Sequence, residues 1–368
     1  SPDRGRHELG GLVRSGRHRQ PEVGRRLEMA LPGLGYAAEA RQPAIIMPHY
    51  CIQQIGAKAR DELRMLEHGN VLAVFKGIAY LVTQSGALLW LGDETLPMHT
   101  RCLRMQGSLP RVQPGQSLRV RGDHVEIGST ASLEIGSAVL WNSPRPSGRG
   151  RIDLEQVPDR ARRWGKVALA ANRPSGFAGW IATHLEQPDG ASASILRSND
   201  PVMNVAGPIL DGIVQACTQG DWQLMLARSA DLIGLGEGLT PSGDDFVGGL
   251  LFSHAHLRAW YPAIPGLPAL EQFLRTAERC TNLISFTLLK DLADGMAAEP
   301  AHHWCNVLLS GGDRRHAASW LEALIHIGHS TGWDLFAGML LGLLHFPYHA
   351  VTYPSDTEVA AHSWGGPA

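Results

Sequence analysis

The alternation of apolar and polar residues changes period about midway along the chain. Between residues 70 and 142 the apolar runs are short: Val71–Phe75, Ile78–Thr83, Ala87–Leu91, Ser117–Arg121, His124–Ile127 and Ala138–Trp141. Gln84-Ser85-Gly86, Pro114-Gly115, Gly122-Asp123 and Gly128-Ser129 supply turn residues between them. Brief runs of β-branched, leucine and aromatic residues bounded by turns predict strands, and their close spacing predicts a small antiparallel barrel or sandwich. Upstream, Ile52, Ile55, Leu63 and Leu66 fit a short helix within residues 43–68. Pro158–Leu185 leans helical, and from about Pro201 the period lengthens to that of a helix. Leu210, Ile213, Val214 and Cys217 share one face, followed by Trp222, Met225 and Leu226. Helical spacing recurs in Phe246–Trp260, Leu270–Cys280, Leu283–Met296, His316–Ile327 and Leu335–Phe346. The pattern predicts an α+β fold: a β-rich domain over 43–150, ending in the linker Asn142–Gly150, then a mainly α-helical domain over 151–353. Residues 1–42 read as a flexible Arg-rich arm and 354–368 as a tail.

Composition narrows the classes. With 44% hydrophobic and 18% charged residues in 368, the chain can bury a real core. A formal net charge of −2 argues against a general nucleic-acid binder; the basic stretch Arg4–Arg26 is the local exception. The longest apolar helix candidate, Leu335–Phe346, is too short for a membrane span and carries Gly338 and Gly342. No apolar segment follows the basic start as a secretory signal would require. Cys51, Cys102, Cys217, Cys280 and Cys305 are odd in number and lack C-x-x-C spacing, which fits reduced thiols in a cytoplasm. His302-His303 and His254-x-His256 lack an acid or cysteine at ligand spacing, so zinc is not expected.

The chemistry concentrates in Ile233–Leu250, IGLGEGLTPSGDDFVGGL. Gly234, Gly236 and Gly238 alternate, then Thr240, Ser242 and Gly243 lead to Asp244, Asp245 and an apolar helix. Alternating glycines permit positive φ and close approach to backbone N–H groups. A helix start just behind them adds unsatisfied donors and the positive end of a dipole, a combination suited to phosphate or carboxylate. Asp244 and Asp245 are candidates for catalysis and for a Mg²⁺ ion; no organic cofactor is expected. The bland alternative is a structural turn, because Ser242-x-x-Asp245 also matches a capping box. The segment is neither a P-loop nor a dinucleotide fingerprint.

A second segment, Ile327-Gly-His-Ser-Thr-Gly-Trp-Asp334, echoes the first. Thr331, Gly332, Asp334 and Gly338 align with Ser242, Gly243, Asp245 and Gly249, and Thr331-x-x-Asp334 again matches a capping box. Gly248, Gly249, Gly338 and Gly342 would let the two helices approach closely, placing both starts around one anion. His329 is a candidate donor to a developing oxyanion and Asp334 a third candidate catalytic acid; Ser330 and Thr331 join the substrate-binding set. Between the segments, Thr281 and Ser285 stand at i and i+4, one helical face with Asn282 nearby, and could line the same pocket.

In that order, the glycine–Thr-Pro-Ser-Gly-Asp-Asp segment, the Thr281/Ser285 stretch and the Gly328-His329-Ser330-x-Gly332-x-Asp334 segment resemble the AllH family. Leu72–Leu91 resembles it more weakly, and together the resemblance spans residues 45–345. Glu237 and Trp333 stand where smaller residues are expected. The resemblance implies a subunit of oxamate carbamoyltransferase, an assembly of three different subunits in allantoin and purine-nitrogen breakdown. That enzyme converts oxalurate and phosphate to oxamate and carbamoyl phosphate. The expected partners are therefore a small anionic substrate and other subunits of a hetero-oligomer, with a homo-oligomer as a further option and neither nucleic acid nor membrane. Two other readings stay open: a non-catalytic assembly subunit, and a nucleotide-dependent ligase or kinase-like enzyme holding phosphates in the same loop.

Overall fold

A computed structural model describes residues 47–144, 151–171, 174–186 and 201–346. The Arg-rich arm, the tail and most of the linker lie outside these residues.

The first described element is strand β1 (His49–Gly56), followed by helix α1 (Ala57–Arg64). Ile52 and Ile55, read from sequence as helical, are therefore strand residues with side chains in the barrel core. Only the Leu63 and Leu66 end of that stretch belongs to or adjoins a helix. There follow β2 (Gly69–Phe75), β3 (Ile78–Thr83), β4 (Leu88–Gly92), β5 (Cys102–Met105), β6 (Ser117–Arg121), β7 (His124–Ile127), β8 (Ala131–Glu134) and β9 (Val139–Trp141). β5 and β8, four residues each, were not evident in the sequence pattern.

The strand order β5-β4-β3-β2-β6-β7-β8-β1 closes on itself through pairing of β1 with β5, so the sheet is a barrel rather than a sandwich. β9 extends it beside the second half of β1, beyond β8. The hairpins are antiparallel as expected, but β1–β8, β1–β9 and β4–β5 are parallel. The sheet is mixed because its closing strand comes first in the chain and is reached by long connections. β4 is buried on both faces, which explains its unbroken apolar run Leu88–Leu91. Leu89 and Leu91 enter the barrel core with Leu81, Leu103 and Val125; Leu88 and Trp90 point outward.

The outward face meets the helices. Tyr80, Leu88, Trp90, Met98, Cys102 and Trp141 pack with Ile284, and Leu239 and Leu288 join them. An ionic contact crosses the same junction. The fully buried Asp291 carboxylate accepts from Lys58 Nζ at 2.7 Å and from Arg101 Nε and Nη2 at 2.5 and 3.0 Å. Barrel and helices belong to one compact unit.

The helices are α2 (Val157–Ala171), α3 (Ala178–Glu186), α4 (Pro201–Gln219), α5 (Trp222–Ala230), α6 (Ser242–Trp260), α7 (Leu270–Cys280), α8 (Leu283–Ala293), α9 (Glu299–Ser310), α10 (Arg314–Ile325) and α11 (Thr331–His345). α9 escaped the sequence reading. α6 and α11 form the centre and run parallel, and their glycines set the distance. A Cβ on Gly249 would lie 2.0 Å from the Leu335 carbonyl oxygen; one on Gly338 would lie 1.8 Å from that of Phe246. Gly342 sits against Ser253 in the same seam, whereas Gly248 faces Leu292 of α8 instead of α11. Both helices are buried almost all round, as their continuous apolar composition requires.

Candidate functional site

Parallel packing brings the starts of α6 and α11 to one end of the pair, and Thr240 Oγ1 and Thr331 Oγ1 face each other at 3.0 Å. The loop ahead of α6 has the backbone its glycines suggest: φ is +82° at Gly234, +118° at Gly236 and +104° at Gly238, a region where L residues are strained. Two of the three also need the missing side chain. A Cβ on Gly234 would lie 2.6 Å from the Cys280 carbonyl oxygen, and one on Gly236 would lie 2.7 Å from the Ser242 nitrogen. A Cβ on Gly238 would meet no atom of the described residues within 4 Å, and Gly238 is exposed together with Glu237. Among the described residues, the N–H groups of Gly236, Glu237, Gly238 and Leu239 donate to no backbone carbonyl.

Neither capping box forms. α6 begins at Ser242 with Pro241 as its N-cap, and α11 begins at Thr331 with Ser330 as its N-cap, so each hydroxyl sits one position too far into the helix. The Gly243 N–H donates instead to Leu235, and the Asp244 and Asp245 N–H groups to Pro241. In the second copy, Gly332 donates to Ile327 and Asp334 to Ser330.

Freed from capping, the acids take separate partners. Asp244 Oδ1 accepts the Gly234 N–H at 2.6 Å, while Oδ2 accepts the Ser285 hydroxyl at 2.5 Å and the Thr281 hydroxyl. This carboxylate ties the glycine loop to the start of α8. Thr281 reaches it from the break between α7 and α8, not from a shared helical face. The Asn282 side chain caps α8 by accepting from the Ile284 and Ser285 N–H groups, so that helix begins after Thr281. The Asn282 amide also donates to the Leu239 carbonyl at 2.8 Å. Asp334 is fully buried, and its Oδ1 accepts the Phe177 N–H at 2.7 Å, fastening the turn ahead of α3.

Asp245 differs from both. It is 6% exposed; the Thr240 and Thr331 hydroxyls hydrogen-bond its carboxyl, yet among the described residues Oδ2 has no partner. Burial pushes its pKa well above the ordinary 3.8, and the nearby Asp334 and Asp244 carboxylates push the same way against the two hydroxyls. The barrel contributes Tyr80, a residue no sequence signal marked. Burial, with help from Asp245 and Cys102, moves its phenol up to about 12.

The remaining candidates are not gathered in. His329 is exposed in the turn before α11, where its carbonyl accepts from Ser175 Oγ at 3.3 Å. Asp244 is committed to hydrogen bonds from the Gly234 N–H and the Thr281 and Ser285 hydroxyls. Among the described residues no group of three or more His, Cys, Asp or Glu could hold a metal. The other histidines flagged by spacing are mostly core residues. His256 Nε2 pairs with Asn306 Oδ1 and His302 Nε2 accepts from the Ala297 N–H, and burial lowers their pKa values to about 4 and about 2. A separate cleft of about 330 Å³ is lined by Arg160, Arg163 and Lys166 of α2 with Gly311 and Gly312; Arg160 donates there to the Leu308 carbonyl, satisfying the end of α9.

A β-barrel joined to a parallel helix pair, with a glycine loop folded over the paired starts, is the class of architecture these elements define. Residues 232–343 match the family model of the oxamate carbamoyltransferase subunit AllH, which bears out the resemblance carried by the three motifs. The matched segment runs from the glycine loop through α8 to the end of the α6–α11 seam. No solved structure matches the chain. Among the described residues no helix is long and apolar enough to cross a membrane.

Proposed function

We propose that this protein is a subunit of a cytoplasmic carbamoyltransferase of the oxamate type, seating a small anion at the glycine loop and paired helix starts. The observation that carries the reading is that the family match frames both helix starts and the Asp244-tethered loop ahead of the first. In the proposed reaction a phosphate oxygen attacks the carbamoyl carbon of oxalurate. The bond from that carbon to the oxamate nitrogen breaks, and the phosphate proton passes to nitrogen, giving oxamate and carbamoyl phosphate. The loop N–H groups of Gly236, Glu237 and Gly238 would hold phosphate or carboxylate, aided by the positive ends of α6 and α11. The raised pKa of Asp245 favours its neutral carboxyl, which relieves the repulsion a second anion would feel. Other subunits would complete the active assembly, and the reaction would serve the breakdown of allantoin for nitrogen.

A second reading, a non-catalytic assembly subunit, draws support from Asp244 and Asp334, whose oxygens fasten loops. Thermal melting of the full chain, alone and with its partner subunits, separates the two. Phosphate, carbamoyl phosphate or oxamate at millimolar concentration should raise the melting temperature, because a ligand of the native state stabilises it by mass action. No shift in either preparation would leave the assembly role, and a shift with Mg-ATP alone would replace the reaction by a nucleotide-dependent one.

A further inference from the structure

The two helix starts are related as copies, and the relation extends to their contacts. Ser242, Gly243, Asp245, Phe246, Gly249 and Leu250 align with Thr331, Gly332, Asp334, Leu335, Gly338 and Met339. Gly249 lies against the Leu335 carbonyl and the Met339 nitrogen; Gly338 lies against the Phe246 carbonyl and the Leu250 nitrogen. Each contact is the other with the copies exchanged. The backbone follows suit: Asp245 N–H donates to Pro241, and Asp334 N–H donates to the aligned Ser330. α6 and α11 are thus two half-sites about a local two-fold axis, each presenting one acid on the third residue after its first.

The half-sites differ in what their acids hold. On α11 the occupant is part of the chain: the Phe177 amide N–H, at 2.7 Å from Asp334 Oδ1. Gly176 makes this approach feasible, since a Cβ there would lie 2.1 Å from that carboxylate oxygen. Among the described residues no chain segment plays that part on α6, and Asp245 Oδ2 is buried without a partner. A buried carboxyl oxygen lacking a donor is left unfavourably desolvated, and a ligand donor would relieve that.

Resting on the anion seat proposed above, we infer that Asp245 is the specificity-determining acceptor for an amide N–H of the ligand, with the Asp334–Phe177 contact as its built-in template. Asp334 is then a positioning residue for the turn before α3. Entry requires separating the Thr240 and Thr331 hydroxyls, the polar contact that adjoins the Asp245 carboxyl. The bound molecule is a small carboxylate or phosphate acceptor of the loop N–H groups that also carries an amide.

Calorimetric titration of the full chain, in the presence of its partner subunits, with oxamate, oxalate and N,N-dimethyloxamate tests this. Oxalate keeps the carboxylate without any N–H, and N,N-dimethyloxamate keeps both carbonyl functions without any N–H. The wild type should bind oxamate at least about tenfold more tightly than either, the size expected for a hydrogen bond to a buried carboxyl. Asp245→Ala, which removes the acceptor, should reduce that preference to less than about threefold, whereas Asp334→Ala should lower the melting temperature and keep the preference intact. Equal binding of the three compounds by the wild type overturns the N–H assignment and leaves the anion seat standing. Loss of preference in Asp334→Ala but not in Asp245→Ala reverses the two roles. If none of the three binds, the seat itself falls. The wild-type comparison decides the matter even should Asp245→Ala fail to fold.

Discussion

Three aspartates within one motif and its echo carry three different duties, and their donors decide which. Asp244 receives hydrogen bonds from Gly234, Thr281 and Ser285 and holds the loop; Asp334 receives the Phe177 N–H and holds a turn. Asp245, in the same buried neighbourhood, has hydroxyl partners and one oxygen that no described residue partners. Its raised pKa has a consequence for stability. The folded chain keeps the Asp245 proton at pH values where the unfolded chain has released it. Stability should therefore fall as pH rises from 3.8 towards the folded-state value, and the loss is complete above it. Asp245→Asn cannot ionise and should remove that slope. Urea denaturation of both proteins across this range checks it, and parallel pH profiles would show that Asp245 is ionised throughout.

At the scale of elements, the site exists because α6 and α11 lie backbone to backbone. Their crossing is set by Gly249 and Gly338, each seated on the other helix's carbonyl. Adding a methyl at Gly338, 1.8 Å from the Phe246 oxygen, must spread the seam and part the helix starts. Gly338→Ala is expected to destabilise by about 3 kcal/mol or more, beyond the slight helix-propensity gain of alanine. Gly238→Ala is the contrast. Its Cβ would meet open space, so only the strain of φ +104° opposes it and the loss should be nearer 1 kcal/mol. Circular-dichroism melts of the two variants make the comparison; similar losses would mean that the seam is not close-packed.

On the scale of the whole molecule, barrel and helices meet beside the glycine loop, where Leu239, Tyr80, Ile284 and the Asp291 contact lie. Burial alone would raise the Asp291 pKa, but Arg101, His99 and Lys58 overcome it and hold the carboxyl below its ordinary value. Its ionised form is thus part of the junction, and the stability it contributes is lost only as pH falls below 3.8. Asp291→Ala would leave Arg101 buried beside Lys58 without a counter-charge. The expected loss is about 3 kcal/mol, since Lys58 is a third exposed and regains water. Limited proteolysis should then cut more readily between barrel and helices, and an unchanged pattern would assign the junction to its apolar contacts alone.

Periodicity in the sequence determined the order of the two layers, because local propensity and burial repeat at the spacing of strand or helix. The alternating glycines determined a positive-φ loop for the same local reason, and all three adopt it. The glycines of the echo likewise foretold a close helix pair, and Gly249 and Gly338 form it. Short strands such as Cys102–Met105 carry too few residues to show a period, and β1 reads as helix because Ile52 and Ile55 also suit helical spacing. Tertiary structure alone decided that the barrel closes through β1 and β5, that His329 faces outward, and that Tyr80 approaches Asp245. It alone also assigned the acids. A carboxylate's role depends on which donor stands within about 3 Å. For Asp334 that donor is the N–H of Phe177, 157 residues away in sequence, and only packing brings the two together.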